Sequence, residues 1–215
     1  MRNVIFLAPP AAGKGTFSEF LIQNYNYQYI STGNILRDKA KENSEEGKWL
    51  KEFLATGALL SDEKIFDLME SELSKLDSSR PFILDGVPRT MNQVDYLEGA
   101  LSDKEFIVVE ISVEKDILEK RITGRYNCPT CKRVYNIHFE DKQPLIDNTC
   151  DKCNVSLYQR DDDNMRAFQV RYQNYLKATN PIKEYYNSKG LLKSLNNSGS
   201  SLVETYSRLT EMLGE

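Results

Sequence analysis

Residues 8–16 read Ala-Pro-Pro-Ala-Ala-Gly-Lys-Gly-Thr, between a short apolar run at residues 4–7 and a helical stretch at residues 15–25. That is the placement of a phosphate-binding loop. Backbone N–H groups and a helix N-terminus cradle phosphate oxygens there, and Lys14 reaches the β- and γ-phosphates. Thr16, or a water it holds, is placed to help with magnesium. Two positions depart from the usual pattern: Ala8 and Ala11 stand where glycines are common. An alanine forced into the left-handed region is destabilised by about 1–2 kcal/mol. Either both alanines keep φ below zero, or the loop is strained.

Beyond the loop, strand-like and helix-like segments alternate. Strands are predicted at residues 27–30, 81–84, 106–111 and 191–195. Ser61 is a helix N-cap candidate, with Asp62 and Glu63 in the first turn and Ile65, Leu68, Met69, Leu73 and Leu76 at helical spacing. Further helices are predicted at residues 113–123 and 202–213, and a polar surface loop at residues 194–201. Alternation of this kind implies parallel pairing through right-handed crossovers. The fold class is α/β: a three-layer fold of the phosphate-loop type, with about five parallel strands and helices on both faces. The 215 residues suit one domain with a small insertion. A net charge of −4 argues against a nucleic-acid-binding surface. No apolar run approaches the roughly 18 residues of a membrane span, and the N-terminus does not read as a signal peptide. The expected location is the cytoplasm.

The thiols interrupt the alternation. Cys128-x-x-Cys131 is followed after 18 residues by Cys150-x-x-Cys153. Two such pairs fit a tetrahedral site of four thiolates, with each pair forming a knuckle. All four positions would then be filled by protein, so the expected zinc is structural. The intervening block holds one strand-like piece at residues 133–137 and could not bury a core alone; metal binding would supply the missing folding free energy. His138 is the only histidine. It lies in this block, so catalysis centred on histidine is not expected.

Several motifs elsewhere carry a family likeness. Ile30-Ser31-Thr32-Gly33-Asn34-Ile35-Leu36-Arg37 is similar to the adenylate kinase segment I-S-T-G-D-x-L-R. Leu84-Asp85-Gly86-Val87-Pro88-Arg89-Thr90, with Gln93 three residues on, resembles L-D-G-F-P-R-T-x-x-Q. Thr56 to Asp62 resembles the stretch lining the AMP adenine pocket in that family. Arg121-Ile122-x-Gly124-Arg125 precedes the cysteine block; Arg160-Asp161-Asp162, Arg171 and the Thr179-x-Pro181 region follow it. The likeness covers nearly the whole chain and is to the long type, whose lid carries four metal ligands. Asn34 and Val87 depart from the family's Asp and Phe.

The resemblance implies reversible, magnesium-dependent transfer between ATP and AMP, giving two ADP. ATP would be held by Ala11, Ala12, Gly13, Lys14, Gly15 and Thr16, with Arg125, Val134 and Tyr135 from the lid and the loop near Gly199 and Ser200 at the adenine. AMP would be held by Thr32, Arg37, Ala58, Leu59, Leu60, Gly86, Val87, Pro88, Arg89 and Gln93, with Arg160 and Arg171 reaching that side. The implied division is a core of residues 1–30, 61–123 and 164–215, an AMP-binding segment at 31–60 and a zinc lid at 124–163. A monomer is expected.

Elementary chemistry agrees with that list. Phosphoryl transfer needs anions held in line, charge neutralised and water excluded. Lys14, Arg37, Arg89, Arg121, Arg125, Arg160 and Arg171 would form the clamp, since arginine binds phosphate through a planar fork and stays charged. Asp85 ends a strand and could orient magnesium-bound water. The rivals are a kinase for another monophosphate, a zinc-ribbon nucleic-acid binder, and an inactive nucleotide sensor.

Overall fold

A computed structural model describes residues 1–199 and 201–215. Five parallel strands form the central sheet: β1 (Asn3–Leu7), β2 (Gln28–Ser31), β3 (Phe82–Asp85), β4 (Phe106–Ser112) and β7 (Leu192–Asn196), in the order β2-β3-β1-β4-β7. Two further short strands, β5 (Arg125–Asn127) and β6 (Val134–Asn136), pair antiparallel. The helices are α1 (Lys14–Tyr25), α2 (Thr32–Lys39), α3 (Glu45–Thr56), α4 (Asp62–Leu73), α5 (Met91–Ala100), α6 (Lys115–Thr123), α7 (Met165–Ser188) and α8 (Leu202–Leu213). The expected α/β architecture, with a five-stranded parallel sheet, is the one observed.

The sheet is buried on both faces because its central strands alternate between two apolar layers. Val4, Phe6, Ile83, Ile107 and Val109 point to one side, against Phe17 and Leu21 of α1, Leu118 and Ile122 of α6, and Leu209 and Leu213 of α8. Ile5, Leu7, Leu84 and Val108 point to the other, against Ile65 and Met69 of α4, Val94 and Leu97 of α5, and Ile182 and Tyr186 of α7. Each fully buried aliphatic side chain of this kind contributes about 1.5–3 kcal/mol.

Element boundaries differ from expectation in a few places. The strand predicted at 191–195 runs one residue later, so Ser194, Leu195 and Asn196 belong to β7 rather than to a loop. β7 is an edge strand with most residues open to solvent, and Ser194 faces Glu110 of β4 at 3.3 Å. Polarity there reflects an edge and not a turn. α4 ends at Leu73 and Leu76 lies beyond it. Ser61 does occupy the α4 N-cap, without a side-chain bond to the helix.

The register sets up the site. Phe6 pairs with Asp85, and Ser31 pairs with Asp85 on the other side. The carboxyl ends of β1, β2 and β3 therefore lie side by side. The chain leaves β1 into the phosphate loop, β2 into α2, and β3 into Gly86. Ligands of open α/β sheets bind beyond these strand ends. No helix among the described residues is long and apolar enough to cross a membrane.

Candidate active site

The phosphate loop wraps the N-terminus of α1. Gly13 is the N-cap, with φ 100°, and a Cβ there would lie 2.9 Å from Asn197 Nδ2. Glycine is needed at that position. Asn197 Nδ2 donates to Ala12 O at 2.9 Å, and Arg121 donates to Ala12 O at 3.4 Å and to Asn197 O at 3.0 Å. Arg121 thus fastens the loop to the end of β7. The two alanines behave differently. Ala11 takes φ 63°, in the left-handed region, whereas Ala8 is not among the positive-φ residues. The strain sits at Ala11 alone.

Lys14 Nζ lies 3.7 Å from Asp85 Oδ1 and 3.4 Å from the carbonyl oxygens of Ala8 and Pro9. Burial lowers its affinity for a proton, Asp85 opposes that fall, and Arg89, Arg171 and Arg125 reinforce it. Asp85 Oδ2 accepts from Tyr29 Oη at 2.7 Å and from Ser31 Oγ at 3.4 Å. Gly86 follows with φ 94°; a Cβ there would strike Thr32 Oγ1 at 2.4 Å.

Two clefts open on this strand edge. The first is lined by Ala8, Pro10, Lys14, Pro88 and the α7 residues Asn174 and Tyr175. The second is lined by Thr32, Arg37, Ala58, Leu59, Leu60 and Gln93. Leu59, Gly86, Arg89 and Arg171 line both. The two arginines therefore stand where the clefts meet. Val87 is buried against Ile5 and Leu84 and lines neither cleft.

Carboxylates interleave the cations. Arg171 donates to Asp162 Oδ2 at 2.8 Å, and Arg37 lies 3.8 Å from the same oxygen. Arg125 makes a two-pronged hydrogen-bonded pair with Asp163. Burial and the neighbouring Arg125 and Arg37 bring Arg160 down to about 10. Burial likewise brings Arg171 to about 10, Asp162 opposing the fall and Arg125, Arg89 and Arg37 adding to it. Burial works against a charge on Asp162, but Arg171, Arg37, Arg125 and Arg160 outweigh it and hold its carboxyl below the usual range. Four arginines thus surround two buried carboxylates, Asp162 and Asp163, and the surplus of positive charge suits a pocket built for further negative charge.

The lid thiols converge as their spacing implied. The four Sγ atoms of Cys128, Cys131, Cys150 and Cys153 lie within 4.8 Å of one another. Cys131 Sγ and Cys150 Sγ are 3.7 Å apart, close to the roughly 3.8 Å edge of a tetrahedron with 2.3 Å metal–sulfur bonds. The knuckles match one another. Lys132 N donates to Cys128 O at 3.1 Å and Asn154 N to Cys150 O at 2.9 Å. Both residues sit at positive φ, 63° and 52°. The Tyr135 ring is buried against this cluster, its hydroxyl 3.5 Å from Cys150 Sγ; Val134 is exposed. His138 is exposed and stands 3.3 Å from Thr123 Oγ1. Gly199 is exposed, and Ser200 lies outside the described residues.

Sequence reasoning did not single out Tyr29, which anchors Asp85, or Asn197, which anchors the loop. Neither belongs to a phosphate motif, and only strand register brings them to the site.

A parallel sheet with a phosphate loop at its edge, and two clefts joined by arginines, defines a phosphotransferase of the nucleoside monophosphate kinase class. The sequence pattern of the adenylate kinase family matches residues 6–191. The chain is 42% identical over 197 residues to the adenylate kinase of Thermotoga maritima, covering 90% of this chain and 89% of that one. It is 41% identical over 197 residues to the adenylate kinase of Geobacter sulfurreducens, covering 90% of each. With the adenylate kinase of Thermoanaerobacter pseudethanolicus it shares 37% identity over 216 residues, covering 99% of this chain and 98% of the relative. The chain belongs to the adenylate kinase family.

Proposed function

We propose that the chain moves a phosphoryl group reversibly from ATP to AMP, giving two ADP, with the ATP phosphates on the loop at Lys14, beside the first cleft, and AMP in the Gln93 cleft. The observation that carries this assignment is the placement of Arg89 and Arg171 on both clefts. A phosphoryl group passing between two nucleotides would stay within reach of both guanidinium groups throughout transfer. Positioning and charge neutralisation are what such a transfer asks of a protein. The loop from Ala11 to Thr16 would hold the donor phosphates through its backbone N–H groups, and Lys14 would neutralise them. Arg37, with Thr32, would hold the acceptor phosphate. Arg125 and Arg160 would close over both from the lid.

Asp85 and the Thr16 hydroxyl are oxygen donors of the kind magnesium takes, and Asp85 Oδ1 faces the loop. Magnesium, when bound with ATP, spreads the phosphate charge. The thiol geometry fits zinc, which would tie residues 124–163 into one rigid lid, with residues 31–60 as the mobile AMP-binding segment. Reduced thiols at metal spacing favour the cytoplasm. One chain supplies every cation of the site, which favours a monomer.

A coupled assay of ADP formation, run with ATP and a panel of monophosphates, tests the assignment. ADP formation with AMP as the preferred acceptor is expected. Binding of ATP and AMP without turnover would make the chain a nucleotide sensor instead.

A further inference from the structure

Gln93 lines the AMP cleft with only 4% of its surface exposed, and both ends of its amide are already engaged. Oε1 accepts from the backbone N–H of Arg89 at 2.6 Å. Nε2 donates to Asp62 Oδ1 at 2.8 Å. Asp62 is the first residue of α4, and its two carboxylate oxygens each accept from Thr90 Oγ1 at 3.0 Å. Thr90 in turn is the N-cap of α5 and accepts from Gln93 N. The amide orientation is therefore fixed by chemistry. A carboxylate can only accept, and a backbone N–H can only donate. Rotating the amide by half a turn would set carbonyl against carboxylate and NH2 against N–H.

An amide carries two donors and two lone pairs. Asp62 and Arg89 use one of each. One N–H and one lone pair remain, in a fixed order. Adenine offers a donor at N6 beside an acceptor at N1, which complements that order. Guanine offers the reverse, an acceptor at O6 beside a donor at N1, and in the same pose meets acceptor with acceptor and donor with donor. A glutamine free to turn over would serve both purines.

We infer that Asp62 is a specificity-determining positioning residue: without touching the nucleotide, it holds Nε2 and so completes, with the Arg89 backbone N–H at Oε1, the lock on the Gln93 amide in the orientation that accepts adenine and refuses guanine. This rests on the assignment of Gln93 to the acceptor base. A site built to hydrogen-bond one edge rejects the wrong edge strongly, because its polar groups are left unpaired.

The test compares Asp62→Ala, Asp62→Asn and Gln93→Leu with the parent protein. It measures kcat and KM for AMP and GMP at saturating ATP, together with melting temperature. In Asp62→Ala the KM for AMP should rise about tenfold with kcat nearly unchanged, and the preference for AMP over GMP should narrow by about tenfold or more. Asp62→Asn keeps an acceptor for Nε2 and should hold the preference within about threefold of the parent. An Asp62→Ala protein that loses AMP and GMP activity in equal proportion overturns the inference. If Gln93→Leu loses its preference while Asp62→Ala keeps it, the inference fails and the Gln93 assignment stands. If Gln93→Leu leaves AMP kinetics untouched, that assignment fails itself. Should Asp62→Ala not fold, Asp62→Glu displaces the carboxylate by one methylene and should narrow the preference too; an unchanged preference there also overturns the inference.

Discussion

Lys14 Nζ stands 3.7 Å from Asp85 Oδ1, linking the loop after β1 to the end of β3. The second oxygen of Asp85 is turned away from the loop, where Tyr29 Oη donates to it at 2.7 Å. The carboxylate is thus divided: one oxygen is held from β2 and the other faces Lys14. Burial, with the Asp85 charge added, raises the Tyr29 hydroxyl well above its ordinary value, so it stays a donor at working pH.

Removing that donor should loosen Asp85 without emptying the site. Tyr29→Phe is expected to lower kcat about three- to tenfold and to raise the magnesium concentration needed for half-maximal rate. Magnesium titrations at fixed ATP and AMP measure both. A variant with parental magnesium dependence would show that Ser31 and Lys14 suffice to hold the carboxylate.

The phosphate loop separates its two alanines. Ala11 at φ 63° bears a left-handed penalty of about 1–2 kcal/mol. Ala11→Gly removes it and loses about 0.5–1 kcal/mol to glycine's greater unfolded freedom, leaving a gain of up to about 1.5 kcal/mol. Ala8→Gly has no such relief and should destabilise by about 0.5–1 kcal/mol. Urea unfolding of the two variants should therefore move in opposite directions. Turnover should rise only for Ala11→Gly, if strain there holds the loop off its phosphate-binding shape.

The sequence made the sheet legible because β1, β3 and β4 are largely buried and each carries an apolar run of three or four residues, 4–7, 82–84 and 106–109. It made the thiol cluster legible because the spacing within each C-x-x-C pair is local. The side-chain contacts that order the candidate site are not local. Asp62 and Gln93 are 31 residues apart, and Tyr29 and Asp85 are 56 apart. Neither pair has a periodicity, and both exist only once α4 packs on α5 and β2 pairs with β3. The polar stretch at the end of the chain misled for a related reason: an edge strand such as β7 needs little apolar surface.

The cationic cluster sets a pH and anion dependence whose sign follows from its shifts. Arg160 and Arg171, brought to about 10, bind protons less tightly folded than unfolded. Their charge therefore opposes folding at every pH below about 10, and the opposition eases only as pH climbs past that value. At neutral pH an anion in the clefts should relieve it. Inorganic phosphate, and ADP more strongly, should raise the melting temperature. Asp162 has the opposite sign. Its lowered carboxyl stabilises the fold above the ordinary carboxylate value of about 3.9 and stops doing so as pH falls through the lower, folded value. Asp162→Asn should accordingly melt below the parent at pH 7, and the gap should close as the medium is made more acid than about pH 3.9. Melting curves across pH, with and without phosphate, measure both effects.

Residues 124–163, the proposed lid, have a small core of their own, built around the four thiols, Tyr135 and Leu157. So few buried side chains cannot hold residues 124–163 in one shape, and the antiparallel pair β5–β6 is only three residues long on each strand. A metal joining the two knuckles would supply the missing stability. Arg125 and Asp163, paired where the insertion leaves and rejoins the core, would then act as its base. Chelation, or Cys150→Ser, should lower the melting temperature markedly while leaving most of the turnover measured at low temperature, since none of the thiols lines either cleft. Parallel melting and rate measurements on metal-loaded and stripped protein decide the matter. Stripped protein that melts with the loaded form would mean the knuckles are stable without an ion, and a loss of rate matching the loss of stability would mean the lid must be rigid to close.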